Sequence, residues 1–439
     1  MHPRLTVIGT GYLGATHAAC MADSGFEVLA LDVDAAKIER LRSGDIPIYE
    51  PGLEPILRRG LASGRLRFTT SYEEAAAFGD VHFLCVGTPQ LGDSNAADMT
   101  QVNAAVESLA PLLTRPCVIV GKSTVPVGSA ARLADRIAEL APAGADAELV
   151  WNPEFLREGF GVQDTLHPDR IVVGVRSAAA EQRMREVYAA QIADDTPFIV
   201  TDFQTAELVK VAANAFLATK ISFINAMAEV CEAAHADVTK LSESLSHDDR
   251  IGKKFLNAGL GFGGGCLPKD IRAFMARAEE LHVDQALSFL REVDAINMRR
   301  RARMVDLARV MVGDTFVDRT VGVLGASFKP GSDDIRDSPA LDIAAQIHAQ
   351  GAHVTVYDPA ALDNARRAQP QLMYANSTLD AARDAEIVLL LTEWPEFRDM
   401  DPEELAKVVE HRNIVDGRNC LDPETWRTAG WTYRALGRP

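Results

Sequence analysis

The chain has 439 residues, 47% apolar and 24% charged, with 31 Gly and 21 Pro, a globular composition that excludes disordered and fibrous classes. At ~100–200 residues per domain, this length points to two to four domains rather than one. Lys and Arg total 45 against 62 Asp and Glu, a formal net charge of −17, which repels phosphate backbones and anionic surfaces and argues against nucleic-acid and membrane partners.

No uninterrupted apolar run approaches the ~20 residues of a membrane span, and the N-terminal stretch, broken at Thr10 and Gly11, lacks a signal-peptide layout. A cytoplasmic location is expected. The six cysteines lie 32 or more residues apart without a CxxC pair, so disulfide frameworks and structural zinc are disfavoured and no metal is expected. All but Cys266 sit in apolar segments and read as small core residues.

In chain order, a first apolar strand runs into Gly9-Thr-Gly11-Tyr12-Leu13-Gly14, followed by a helical pattern over 15–24. In that setting Gly9 makes a tight turn, Gly11 lets the backbone approach a pyrophosphate, and Gly14 permits close helix packing, with Tyr12 and Leu13 in the same loop. Asp32 ends the next strand, placed to bond both ribose hydroxyls. Positions 33 and 34 carry no Arg or Lys for a 2′-phosphate, which favours NAD over NADP. Lys37, one turn into the next helix, is a candidate for the adenosine side. Two later strands end at Thr88 and at Ser123-Thr124, which brings these hydroxyls to the crevice of the nicotinamide. After a strand over 148–151, Asn152-Pro-Glu154-Phe155-Leu156-Arg157-Glu158 offers carboxylates four residues apart, a repulsion to be relieved by function or separate pairing.

Residues 198–251 contain neither Gly nor Pro, which signals helix. Thr201 and Asp202 are N-cap candidates, and Phe203, Ala206, Val209, Ala213, Phe216, Ile224 and Met227 keep helical spacing. One helix of about 30 residues, ~45 Å, outspans a small domain, so a homodimer built on this layer is expected. Lys210 and Asn214 share a face of it and together could stabilise an oxyanion. Next comes a loop with glycines at 259, 261, 263, 264 and 265, then Cys266-Leu-Pro268-Lys269-Asp270 and a helical pattern over 271–281. The glycines suit a loop that approaches a ligand, and a helix start beside Lys269 favours the thiolate of Cys266, the nucleophilic form. The last third repeats the first: Thr320-Val-Gly-Val-Leu-Gly matches the opening strand, His353-Val-Thr-Val-Tyr-Asp matches the strand ending in Asp32, and Glu386-Ile-Val-Leu-Leu-Leu matches Val81-His-Phe-Leu-Cys-Val. The fold class is therefore α/β, with two Rossmann-like doubly wound domains joined by a central helical layer. The expected divisions are 1–200, 201–299 and 300–439. A nicotinamide site combined with a nucleophilic cysteine implies oxidation of an alcohol to an aldehyde, its capture as a thiohemiacetal, a second oxidation to a thioester, and hydrolysis to the acid.

These motifs in this order, GTGYLG at Gly9, YEPGL at Tyr49, VGTP at Val86, KSTVPVG at Lys122, NPEFLREG at Asn152, ELVKVAANAF at Glu207, GFGGGCLPKD at Gly261 and FKPGSDDIRDSP at Phe328, resemble the four-electron nucleotide-sugar dehydrogenases, the UDP-glucose and GDP-mannose dehydrogenase family. The resemblance covers nearly the whole chain. It implies an NAD-binding N-terminal domain, a helical dimerising middle and a C-terminal domain for the nucleotide of the sugar donor. It implies Cys266 as nucleophile, Lys210 and Asn214 as the oxyanion and substrate-positioning pair, and Thr124, Glu154 and Asp270 as the group organising water and protons. Glu158, Lys269 and Arg336 would be cofactor-side contacts. A UDP-sugar would be held by Glu154, Phe155, Leu156, Phe255, Asn257, Gly261, Gly263, Lys329 and Arg418, with Arg250 reaching the neighbouring subunit's site. One departure is Gly265, where the family usually has serine; activity is expected to survive because the backbone of this position counts for more than its hydroxyl. The implied reaction is UDP-glucose to UDP-glucuronate with two NAD, the alternatives being GDP-mannose or another UDP-sugar and, in a different class, a non-catalytic nucleotide-sugar or NAD-binding regulator.

Overall fold

The structure, a computed structural model, describes residues 2–439. The short apolar runs LTVI, VLAL and VHFL are buried at every position, as strands covered on both faces must be. In chain order the strands of the first sheet are β1 (Leu5–Ile8), β2 (Val28–Leu31), β3 (Leu66–Thr69), β4 (Val81–Leu84), β5 (Cys117–Gly121), β6 (Ala147–Trp151), β7 (Ile171–Gly174) and β8 (Phe198–Thr201). They lie in the order β3-β2-β1-β4-β5-β6-β7-β8, parallel except where β6 meets β7 through Trp151 and Gly174. The second sheet holds β9 (Thr320–Leu324), β10 (His353–Tyr357), β11 (Met373–Tyr374), β12 (Ile387–Leu390), β13 (Asn413–Asp416) and β14 (Thr432–Ala435), in the order β11-β10-β9-β12-β13-β14. Both ends of the chain are thus doubly wound, as expected. The chain forms two compact units, 1–213 with 272–282, and 214–271 with 283–439.

The likeness of the two sheets extends to detail. The strand order reverses beside β1 in one and beside β9 in the other, where ligand crevices open. Each of these strands ends in a left-handed glycine, Gly9 at φ 90° and Gly325 at φ 114°. In each, an acid after the neighbouring strand grips the next peptide: Asp32 accepts from Thr10 N–H at 2.8 Å, and Asp358 from Ala326 N–H at 2.8 Å.

The central helix, Phe203–Ala234, has 32 residues. Asp202 caps it, accepting from Thr205 N–H at 2.7 Å, whereas Thr201 ends β8 instead. The Gly- and Pro-free stretch holds more than one helix: His235 turns left-handed (φ 57°), and Val238–Ser246 forms a second helix capped by Asp237. By length and mean hydropathy alone the central helix could cross a membrane, although no uninterrupted apolar run suggested it. Alanines raise the average while the polar side chains find protein partners: Lys220 Nζ bonds Ile251 O at 2.9 Å, and the fully buried Asn225 accepts from Gly259 N–H. Those are the partners of a core helix. Cys20, Cys85, Cys117 and Cys231 are buried as expected, but Cys420 is only half-buried because it follows β13 in a loop, with Sγ 3.8 Å from Asp416.

His82 in β4 is 0% exposed and shares a hydrogen bond with Thr6 Oγ1 at 2.7 Å. Burial above all holds its ring down at about 3, and burial lowers His17 likewise. The unfolded chain takes up a proton near pH 6.5 and the native ring does not until about 3, so stability falls as pH drops through that window. Between pH 7 and pH 5 His82 alone is expected to remove about 2 kcal/mol. The loss of urea midpoint on going from pH 7 to pH 5 should shrink in His82→Asn; an unchanged loss would refute this assignment.

Candidate active site

The GTGYLG segment has the geometry a pyrophosphate requires. A Cβ on Gly14 would lie 1.8 Å from Gly9 O, one on Gly9 would lie 3.0 Å from Cys85 O, and the space beside Gly11 is open. Strand, turn and the helix Tyr12–Asp23 therefore pack closely and leave the helix N-terminus accessible to an anion. Asp32, 8% exposed, accepts from Thr10 N–H and Oγ1, from Asp34 N–H, and from Lys37 Nζ at 3.0 Å. Burial pushes its carboxyl up, but these donors outweigh burial and hold it below the ordinary carboxylate range. Lys37 is thus an ion-pair partner of Asp32. These residues fit a dinucleotide with an unphosphorylated ribose.

Further along the same sheet, Thr88 is buried and its hydroxyl donates to Thr124 O at 2.8 Å, which ties the loops after β4 and β5 together. Residues 152–158 are irregular rather than helical, so Glu154 and Glu158 are not stacked on a helix face. Glu154 is separately paired: Lys210 Nζ lies 3.1 Å from Oε1, and Leu156 N–H donates to Oε2 at 2.5 Å. Both side chains of that pair are well shielded, 6% and 13% exposed. Two cations approach the Phe155 ring, Lys210 Nζ at 5.6 Å and Arg170 at 4.0 Å from its centre. One turn before Lys210, the buried Glu207 accepts from Gly128 N–H at 2.7 Å and Ala130 N–H at 2.6 Å. Burial raises its carboxyl despite those bonds. Glu207 pins the KSTVPVG loop, which carries Thr124, to the helix that carries Lys210.

In the second unit, Cys266 is exposed and stands immediately before the helix Leu267–Glu280, its carbonyl accepting from Asp270 N–H at 2.9 Å. It occupies the N-cap, where backbone donors and the helix dipole favour an anion. Pro268 and Asp270 fall in the first turn. Asp270, 1% exposed, accepts from Asn214 Nδ2 at 2.7 Å and from Lys269 Nζ at 2.6 Å. The glycines before Cys266 are required by close approach: added Cβ atoms would lie 2.1 Å from Asn297 Oδ1 at 261, 2.3 Å from Asp337 O at 263, 2.8 Å from the Phe328 ring at 264 and 2.2 Å from the Arg336 guanidinium at 265. Gly265, the departure from the resembled pattern, leaves room for Arg336, which forks onto Asp334 at 2.7 Å and 2.9 Å. Arg418 bonds Leu391 O, Gly261 O and Phe328 O at 2.8–3.2 Å, so its guanidinium knits the loops of this site. Lys329 lies 5.5 Å from the Phe328 ring centre. Phe255 is left-handed at φ 65°, and Asn257 is exposed. Arg250 projects, 89% exposed, with its head on Asp248.

Lys210 with Glu154, Thr88 with Thr124, and Asn214 with Lys269 and Asp270 are therefore brought together. Lys210 and Asn214 stand four residues apart on one helix. Two residues, one in each unit, that hold these loops were not singled out from the sequence. Glu50 accepts from Tyr12 Oη and, at 2.7 Å, from Gly159 N–H; with burial as the larger cause, it raises the Tyr12 phenol. Its signal was present in the YEPGL motif. Asn297 bonds Phe262 at both backbone groups and lies in a helix with no motif at all.

Residues 3–192 match the NAD binding domain of the UDP-glucose/GDP-mannose dehydrogenase family, 204–299 its central domain and 322–423 its UDP binding domain. The chain is 40% identical over 438 residues to UDP-glucose 6-dehydrogenase of Rhizobium meliloti, covering 99% of this chain and 100% of that one. It is also 40% identical to UDP-glucose 6-dehydrogenase TuaD of Bacillus subtilis, over 99% and 93%. The structure of a UDP-glucose dehydrogenase from Pyrobaculum islandicum superposes with a TM-score of 0.92 at 37% identity, covering 100% of this chain and 98% of that one. With a glycine loop and ribose carboxylate shaped for the dinucleotide, this chain belongs to the UDP-glucose/GDP-mannose dehydrogenase family of oxidoreductases, and its cofactor is NAD.

Proposed function

We propose that the protein oxidises UDP-glucose to UDP-glucuronate through a covalent cysteine intermediate, with two NAD per sugar. The observation that carries this reading is the exposed Cys266 at a helix N-terminus behind a run of close-packed glycines, in a chain of an NAD-dependent family. Bound NAD supplies the hydride acceptor for both oxidations. Cys266 Sγ bonds the aldehyde carbon, and the oxygen that becomes negative is stabilised by Lys210 and Asn214. Oxidation of this thiohemiacetal leaves a thioester; water then cleaves the C–S bond and the thiol is restored. Thr124, Glu154 and Asp270 orient that water and carry its protons. A neutral hydride-transfer site for alcohol and aldehyde alone has no use for a thiol.

In this reading residues 1–200 hold NAD, with Thr88, Glu158, Lys269 and Arg336 on the cofactor side; 201–299 form the dimerising layer with the cysteine loop; and 300–439 hold the UDP-sugar. Phe155, Leu156, Phe255, Asn257, Gly261, Gly263, Lys329 and Arg418 contact the sugar nucleotide, and Arg250 reaches across to a partner. The protein in this reading is a cytoplasmic homodimer; the dimer is supported by the central helix, where Phe216, Phe223 and Val230 are 66%, 48% and 57% exposed at seven-residue spacing. That is an apolar stripe a second copy would cover. Phe216, one of the positions that marked the helix in sequence, faces outward on it.

The deciding experiment counts NADH formed per sugar consumed with UDP-glucose, GDP-mannose and UDP-N-acetylglucosamine. Two per UDP-glucose, with the other sugars at least ~100-fold slower in kcat/KM, is expected. One per sugar would reject the covalent stage, and preference for another sugar would reject the substrate.

A further inference from the structure

We propose that Asn297, in the helix Phe289–Met311, is a positioning residue for Cys266. The inference rests on Cys266 being the nucleophile. Between Gly261 and Cys266 the only residue with a side chain is Phe262, so this loop has almost nothing to pack and its many glycine conformations must be suppressed by backbone bonds. Asn297 supplies two of them. Its Oδ1 accepts from Phe262 N–H at 2.7 Å and its Nδ2 donates to Phe262 O at 3.0 Å, the reciprocal pairing a neighbouring strand would give.

The side chain is 0% exposed, and its Oδ1 fills the space beside Gly261 where a Cβ would come within 2.1 Å. One turn further along the same helix, Arg301 donates to Asp337 Oδ1 at 2.7 Å, and the neighbouring Arg336 carbonyl accepts from Gly264 N–H at 2.8 Å. A single helix face, positions 297 and 301, therefore holds the cysteine loop directly through Phe262 and indirectly through the Arg336–Asp337 segment. The direct grip of Asn297 ends at Phe262 and the indirect one at Gly264, two residues before the thiol; the helix Leu267–Glu280 takes over through Cys266 O. Between those two anchors Cys266 has one backbone course.

The test follows iodoacetamide alkylation of the full-length protein by peptide mass spectrometry, with the half-buried Cys420 as internal reference. In Asn297→Ala, and independently in Gly261→Ala, whose new methyl displaces the Asn297 oxygen, the melting temperature is expected to fall by a few degrees. At a temperature where both variants are folded, the alkylation rate of Cys266 is expected to fall about tenfold while that of Cys420 holds. kcat should fall ~10–100-fold with KM for NAD within about twofold. If Asn297→Ala does not fold, Asn297→Ser, which keeps a hydroxyl toward Phe262, is read the same way with a smaller change. A Cys266 rate within about twofold of native in the folded variants, or a parallel change at Cys420, overturns the proposal and leaves Asn297 a residue of the fold alone. Failure of the native enzyme to yield two NADH per UDP-glucose would remove the sugar reading and leave the alkylation comparison standing.

Discussion

Cys266→Ala is expected to abolish acid formation from UDP-glucose, with a loss of at least ~10³-fold in turnover to UDP-glucuronate. The residue is exposed at the N-cap of Leu267–Glu280, and the helix is entered through its backbone carbonyl, so removal of Sγ leaves Asp270 N–H bonded to Cys266 O and the fold unchanged. What disappears is the bond that holds the aldehyde carbon. The variant should release at most one NADH per sugar, with the aldehyde recoverable by a carbonyl trap. Cys266→Ser keeps the size but offers a far weaker nucleophile, so it should resemble the alanine variant. Full acid production by either variant would eliminate the thiol mechanism.

Asp270→Asn should cost ~10²–10³-fold in kcat while KM for NAD changes little. The carboxylate is 1% exposed and has a donor on each oxygen, Asn214 Nδ2 at 2.7 Å and Lys269 Nζ at 2.6 Å. An amide has only one acceptor to set against those two donors, so its own NH2 must face either the Asn214 amide or a lysine ammonium. One of the two donors, Asn214 or Lys269, then loses its bond, and in either orientation the ammonium loses its counter-charge. An unsatisfied buried pair of this kind costs about 1–3 kcal/mol of stability, and the urea midpoint should fall accordingly. Steady-state rates on UDP-glucose, taken at a temperature where the variant is folded by circular dichroism, provide the check; kcat within threefold of native would sink the role assigned to Asp270.

What could be read directly was local. The dinucleotide loop, its acid and the cysteine loop each occupy fewer than about 25 consecutive residues, and the residue types that make the turn and the chemistry sit beside one another. The paired sheets were legible because buried parallel strands leave continuous apolar runs. The supports of the site were hidden for the opposite reason. Arginines stand at 299, 300, 301 and 303 with no motif around them, yet Arg300 is 0% and Arg301 4% exposed. Their partners lie far away in sequence, at Gly259 O, Glu232, Asp337 and Asp342. Burial lowers the Arg300 guanidinium even beside Glu232, a cost visible only once the fold is known. Arg418 is a milder case: expected as a contact of the UDP-sugar, it donates to three carbonyl groups of its own chain, a role its position in the sequence did not announce. Glu154 and Glu158 mark the limit of spacing arguments, since four residues apart implies contact only on a helix.

Beside the first glycine turn the two look-alike sheets differ in the lone pairs left on the acid. Asp358 accepts from Ala326 N–H, Ser327 N–H, Ser327 Oγ and Trp394 Nε1 on one oxygen and from Ala360 N–H and Ala361 N–H on the other. A carboxylate offers about four acceptor positions, so Asp358 is saturated and sealed at 1% exposure. On Asp32, Oδ1 takes, among the described residues, only the Asp34 N–H, which leaves it capacity for a diol. The two sheets thus share a scaffold but not its acceptor capacity: the acid beside β9 has none left for a ribose diol, whereas the acid beside β1 keeps it.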